Sequence, residues 1–193
     1  MVAPSPEALP AAPAGTQWVQ VWADEFSGSS LDLKKWETPE YHRREAEWVK
    51  EAVVPNRKGQ LALKVYEKDG KYYDGCARSK GKFEHAFGYY VARMKISNSV
   101  GHWPAFWLYN QSQGNLGNGG ADGCEIDIME TPWLEDRVNF ACHWDGYGSE
   151  HKSFGTSVTV PGLHQGYHTF ALWWSPTEYV WYVDGVERYR SSE

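Results

Sequence analysis

The sequence predicts an all-β domain built as a sandwich or jelly roll, and three observations carry that expectation. Short runs alternate apolar and polar residues, as strands with one buried face do. Turn-forming residues punctuate them at modest spacing. The chain has 193 residues, enough for one domain at about 150 residues per domain and for a sizeable core.

The strand runs, in order, are WVQVW (18–22), QLALKVY (60–66), GYYVARMKI (88–96), AFWLY (105–109), CEIDIM (124–129), RVNFACHW (137–144), SVTV (157–160), HTFALWW (168–174) and EYVWYVDG (178–185). Each is rich in β-branched and aromatic residues, which suit a pleated, half-buried surface. The turns between them read GSS, PNRKG, EKDG, QSQGNLGNGGADG, WDGYG, VPG and VDG. One stretch, REAEWVKEA (44–52), fits a helical turn or two, or a strand around Glu47–Val53, equally well. Residues 1–16 are Ala/Pro-rich and read as a flexible extended segment. They lack the basic and Leu-rich regions of an intact secretory signal. Residues 17–193 read as the folded domain. The Gly-rich stretch 114–123 lacks a following Gly-Lys-Ser/Thr and so is not a phosphate-binding loop; it reads as a flexible loop into the next strand.

Composition excludes several function classes. Lys+Arg 19 against Asp+Glu 25 gives a net charge of −6, with no basic excess to neutralise nucleic-acid phosphates. No apolar run reaches the roughly 18 residues of a membrane-spanning helix. Eleven Trp, twelve Tyr and seven Phe make up 16% of the chain. That is too aromatic for a disordered protein and more than the core needs, so some rings sit on a surface and bind something flat; sugar rings are the obvious candidates. The three cysteines, Cys76, Cys124 and Cys142, have neither CxxC nor Cys/His spacing, which argues against zinc. They read as buried free thiols, or as one disulfide and one free thiol.

The chemistry is concentrated in Glu125-Ile126-Asp127-Ile128-Met129-Glu130. In a regular strand Glu125 and Asp127 share a face and Glu130 points away. A β-bulge at Ile128–Met129 adds one residue and returns Glu130 to the first face. Three like charges along one face repel, so a plain solvated face is a poor account of them. Crowded carboxyls have their proton affinities pushed apart. One then serves as nucleophile and another as general acid, as retaining glycoside hydrolysis requires.

The ExDxxE pattern of EIDIME resembles the active-site strand of glycoside hydrolase family 16 in its bulged, laminarinase-like form. GHWPAFWLY (101–109), FGYYVARMKI (87–96), WADEFSGSSLDLKKWE (22–37) and YHTFALWWSPTEYVWYVDG (167–185) resemble further segments of that family, in the right order. Val91 departs from it, standing where Glu is common. The resemblance implies a concanavalin-like β-jelly roll of two curved antiparallel sheets with a sugar cleft on the concave face. It implies Glu125 as nucleophile, Asp127 assisting it, and Glu130 as acid/base.

Substrate-binding candidates follow. Trp103 and Trp107, four apart and hence on one face, match tryptophans that the family sets beside the catalytic strand; the alternative is two core residues. Trp133 follows that strand and is a rim candidate. His143, in ACHWDGYG, is expected near the acids, and Arg78, in GCARSKGKF, resembles a segment that contacts sugar hydroxyls. Glu45, Glu47 and Trp48 are weaker rim candidates.

The implied activity is endo-hydrolysis of a β-linked polysaccharide, first a β-1,3-glucan, with agarose, porphyran and carrageenan as alternatives. A non-catalytic carbohydrate-binding module on the same fold would explain the aromatics but not the paired Glu125 and Glu130. No cofactor is required. A structural calcium is a feature of the family, for which Glu25 matches one ligand. The expected partner is the polysaccharide alone, with no nucleic acid and no membrane, and the expected location is secreted or periplasmic. The family pattern continues past the VDG hairpin, so the C-terminal strands look missing; the expectation is a monomer unless another chain completes the sheet.

Overall fold

In a computed structural model, which describes residues 9–193, fourteen strands and two short 3-10 turns account for the regular structure. The predicted N-terminal segment therefore lies outside the described residues over 1–8. Over 9–16 it forms no strand or helix, only a turn closed by the Thr16 amide on the Pro13 carbonyl. The described chain forms two compact units, Ala12–Ala86 and Phe87–Glu193.

In the first unit, β1 (Tyr41–Arg43), β2 (Ala46–Trp48), β5 (Val65–Lys68) and β6 (Lys71–Asp74) make one sheet in the order β1-β2-β6-β5. All its pairings are antiparallel except β2 with β6, which are parallel. A parallel pair needs a long crossover. Here the crossover passes through a 3-10 turn at Lys50–Ala52 and a two-stranded sheet of β3 (Val53–Pro55) and β4 (Leu61–Leu63). The ambiguous stretch 44–52 thus contains both a strand and a helical turn. The run 60–66 is split at Lys64, whose amide bonds the Ala52 carbonyl instead of a sheet neighbour.

The strand expected at 18–22 does not form. Val19 and Val21 are 67% and 62% exposed, and Trp22 packs on Trp36 and Phe83 at 5.0 and 5.4 Å. Among the described residues no neighbouring strand pairs with it, and a pattern without a ladder is only an extended segment.

The second unit carries two four-stranded antiparallel sheets. One has the order β11-β10-β9-β8, from β8 (Ala105–Tyr109), β9 (Glu125–Glu130), β10 (Arg137–Trp144) and β11 (Lys152–Thr159). The other has the order β14-β13-β12-β7, from β7 (Gly88–Met94), β12 (His168–Trp174), β13 (Tyr179–Val183) and β14 (Val186–Ser191). Ile126, Ile128, Met129, Phe140 and Cys142 from the first sheet meet Phe170, Leu172, Trp181 and Val183 from the second in one buried cluster. Each large buried side chain there contributes roughly 1.5–3 kcal/mol relative to exposure. Trp181 also ties the sheets by a hydrogen bond, its Nε1–H donating to the Asp127 carbonyl at 2.9 Å. This all-β, two-sheet architecture is the predicted one.

Candidate active site

The acidic strand β9 sits between β8 and β10, and its pairing is regular only in its first half. Asp127 lies opposite Ala141 and Glu130 opposite Asn139, so three residue steps on β9 match two on β10. On the other side, consecutive Phe106 and Trp107 pair with Met129 and Asp127. Ile128 is the extra residue. Both Ile128 and Met129 are fully buried beside Ile126 in the core between the sheets. The bulge is where the sequence places it, and the hydrophobic pull on two successive residues accounts for it. A flat strand would bury only one of them and send the other to solvent.

The outcome is three rows of residues across one face. Tyr109, Glu125, His143 and Ser153 form the first; Trp107, Asp127, Ala141 and Gly155 the second; Ala105, Glu130, Asn139 and Ser157 the third. The middle row is kept small beside Asp127. A side chain at Gly155 would drive its Cβ to 2.2 Å from the Phe140 carbonyl oxygen.

Each carboxyl has a different setting. Glu130 accepts from Trp103 Nε1–H at 2.8 Å and from Asn139 Nδ2–H at 3.0 Å, and Ser157 Oγ–H donates to Asn139 Oδ1 at 3.2 Å. Burial and the neighbouring Asp127 nonetheless hold the Glu130 carboxyl above the ordinary range. The same two causes raise Glu125, which accepts from the Tyr147 hydroxyl. Asp127 is only 2% exposed. Its Oδ2 lies 3.3 Å from His143 Nε2 with no well-aligned donor, a close electrostatic contact rather than an in-line hydrogen bond. That contact raises the imidazole pKa of His143.

The structure therefore brings together Glu125, Asp127, Glu130, Trp103, Trp107 and His143. Trp103 has its indole N–H committed to Glu130, while the residue stays 51% exposed. Trp107 meets Tyr109 edge-on at 5.5 Å. Trp133 carries the Arg137 guanidinium 3.5 Å above its ring, so one of its faces is covered. Arg78 belongs to the Ala12–Ala86 unit, where it pairs with Glu37 through a backbone bridge and through side-chain bonds of 2.5 and 3.2 Å. Among the weaker candidates, Glu47 bonds His42 at 3.0 Å and Trp48 lies under Arg43.

Sequence reasoning missed Asn139, Tyr147 and His151. Alternation from His143 back through Ala141 to Asn139 was the signal for the first; the other two sit in a loop that no periodicity reaches. The three cysteines are free thiols, with Cys142 buried. Among the described residues no three of His, Cys, Asp and Glu converge as metal ligands. Asp24, beside Glu25, is occupied by the Phe26 amide and Trp36 Nε1–H, both at 2.8 Å.

A two-sheet β-jelly roll with a bulged, three-carboxylate strand is the architecture of a carbohydrate-active domain. The chain belongs to Glycosyl hydrolases family 16, whose family model it matches over residues 40–193. It is 29% identical to a Beta-glucanase of Rhodothermus marinus, over 90% of this chain and 65% of that one. It is 28% identical to Glucan endo-1,3-beta-glucosidase A1 of Niallia circulans, over 88% of this chain and 29% of that one. The chain thus spans less than two thirds of either relative. The fold matches the crystal structure of a laminarinase from Flavobacterium sp. UMI-01 at a TM-score of 0.76 and 24% identity, over 90% of this chain and 78% of that one.

Proposed function

We propose that this chain catalyses retaining endo-hydrolysis of a β-linked polysaccharide, first a β-1,3-glucan, by double displacement. The observation that carries the proposal is the bulged strand, which sets Glu125, Asp127 and Glu130 on one face with two of them raised in proton affinity. In the first step Glu130, protonated, gives its proton to the glycosidic oxygen as the Glu125 carboxylate attacks the anomeric carbon. The leaving sugar departs and an ester links the remaining glycan to Glu125. In the second step the Glu130 carboxylate takes a proton from water, and the water oxygen displaces Glu125. Asp127 stands between the two in sequence, its Oδ2 3.3 Å from His143 Nε2. The names of most relatives favour glucan over the galactan alternatives, with one endo-1,4-beta-galactosidase among them. A polymer of this kind is met outside the cytoplasm, and we place the protein there.

Trp103 has two roles in this reading. Its N–H stabilises the ionised form of Glu130, so Trp103→Phe, which keeps a ring but loses the donor, moves the alkaline limb of kcat/KM to higher pH. Trp103→Ala also removes a sugar platform and weakens polymer binding by about 1–3 kcal/mol, the scale of other aromatic stacking. Affinity unchanged in the alanine variant removes the platform role.

The direct test is reducing-sugar release from laminarin, mixed-linkage glucan, agarose, porphyran and κ-carrageenan, with the anomer formed first read by NMR. Release from laminarin with the β-anomer first supports the proposal. An α-anomer first excludes the covalent route. Binding without release by a folded protein favours the carbohydrate-binding module.

A further inference from the structure

His151 takes no part in the chemistry above, yet it touches the residue that faces the buried carboxylate. Its Nε2 lies 3.0 Å from His143 Nδ1. The two rings are 19° from coplanar with centroids 5.1 Å apart. Most of that separation is the nitrogen–nitrogen distance, so the rings meet edge to edge with the hydrogen bond nearly in their plane. We infer that His151 is a positioning residue: through this bond it fixes the tautomer and angle of His143, so that His143 Nε2–H faces the buried Oδ2 of Asp127. The inference rests on the proposed role of the three carboxylates.

The proton count supports it. Asp127 Oδ2 is buried without an aligned donor, and His143 Nε2 lies 3.3 Å from it. Imidazole has two neutral tautomers. With the proton on Nδ1, His143 would aim a lone pair at a carboxylate. With the proton on Nε2, Nδ1 is left as an acceptor, and only a donor opposite it selects that state. His151 Nε2–H is such a donor. When His143 takes up a second proton, Nδ1–H donates back to His151 Nε2. One proton sits in the bond between the rings in either charge state, and His143 Nε2–H faces Asp127 in both.

The surrounding loop is built to hold this geometry. His151 closes the connection between β10 and β11, where its amide bonds the Gly148 carbonyl at 3.2 Å. Buried Gln113 clamps the other end: its carbonyl accepts from the Gly146 amide at 2.8 Å, and its Nε2–H donates to the Gly146 carbonyl at 3.2 Å. Asp145, also buried, accepts from the Gly117 amide at 3.1 Å and lies 3.6 Å from Lys152 Nζ. Gly117, in the Gly-rich stretch 114–123, thus ties that stretch to this connection. Tyr147 lies on the same loop, its ring 5.0 Å from that of His151, and its hydroxyl donates to Glu125. The groups facing His143 are thus Glu125, Asp127 and Glu130 from β9, Tyr147 and His151 from the loop, and uncharged Ser153 from β11.

The consequence is catalytic. A positive charge on His143 favours the ionised form of Glu125. Losing His151 frees the ring, weakens that support, and raises the pH at which Glu125 ionises. His151→Ala should lower kcat about tenfold to a hundredfold, the cost of a misplaced catalytic group, with KM little changed. The acid limb of kcat should move to higher pH. His151→Gln, whose amide N–H can donate to His143 Nδ1, should restore most of the rate.

The experiment is steady-state kinetics of both variants across pH, with 15N NMR of the His143 ring at a pH where it is neutral. Wild type and His151→Gln are expected to show the proton on Nε2, and a folded His151→Ala a mixture of tautomers. Wild-type kcat and a single Nε2–H tautomer in His151→Ala overturn the inference. So does a glutamine variant as slow as a folded alanine variant. If the alanine variant does not fold, the ring spectrum of His151→Gln decides, and mixed tautomers there count against the inference. The ring spectrum reports on His151 even if Glu125→Gln proves active, which would remove the carboxylate reading separately.

Discussion

Glu125→Gln is expected to abolish turnover and to raise the thermal midpoint in the same protein. On the proposed route the carboxylate forms the bond to the anomeric carbon, and an amide oxygen cannot take its place. Loss of a covalent nucleophile costs about 10⁴–10⁶ in kcat. The stability gain follows from the setting of this side chain. Burial and Asp127 hold the carboxyl above its ordinary range, so the fold penalises the ionised form. For a carboxyl whose folded pKa is raised, the penalty is absent below the unfolded value and complete above the folded one. Glutamine removes it, and its carbonyl can still accept from the Tyr147 hydroxyl. The midpoint difference should therefore be small in acid and open as pH rises toward 7, at about 2–4 °C for each 1 kcal/mol in a chain of this size. Melting curves at two pH values and a turnover assay check both halves. Near-normal turnover removes the nucleophile; a lower midpoint at pH 7 removes the electrostatic account.

The conflict between stability and position is also why this site was legible in the sequence. Three acids in six strand residues are hard to explain unless they are used, and period-2 geometry with one bulge decides where each side chain goes. Asp127 and the bulge pair Ile128 and Met129 needed only local pattern. The strands that bury a face against the opposite sheet were legible for the same reason, and β10 and β12 match their predicted runs residue for residue; β11, foreseen only over its last three residues, and β14, not foreseen at all, contain no buried residue to mark them. Failures came where structure depends on a partner distant in sequence. WVQVW alternates like a strand but has no neighbour to pair with among the described residues. The parallel register of β2 on β6 depends on an intervening two-stranded sheet. The settings of the acids were hidden in the same way. Trp103 reaches Glu130 across 27 residues, and His151 meets His143 only because a seven-residue hairpin loop doubles back between Trp144 and Lys152. Residue type predicted a stacking tryptophan; only the fold showed that its N–H is spent on the acid.

Glu130→Gln should separate substrates by leaving group instead of abolishing activity uniformly. With a polysaccharide the departing oxygen needs a proton, and losing the general acid costs about 10²–10⁴ in rate. With an aryl β-glycoside bearing a strongly acidic phenol, the departing phenolate needs none, and Glu125 can still form the ester. The second step then lacks its base, so the ester accumulates and a burst of phenol should precede slow turnover. Azide, which attacks without giving up a proton, should relieve the block and yield a β-glycosyl azide. The variant can be housed without an orphaned donor. The glutamine carbonyl takes the Trp103 N–H, and its amide faces Asn139, whose own amide can turn to present oxygen, with Ser157 as the next partner. Equal losses on polymer and aryl glycoside would make Glu130 a structural member of the strand. A burst without azide product would leave it the acid of the first step but remove it as the base of the second.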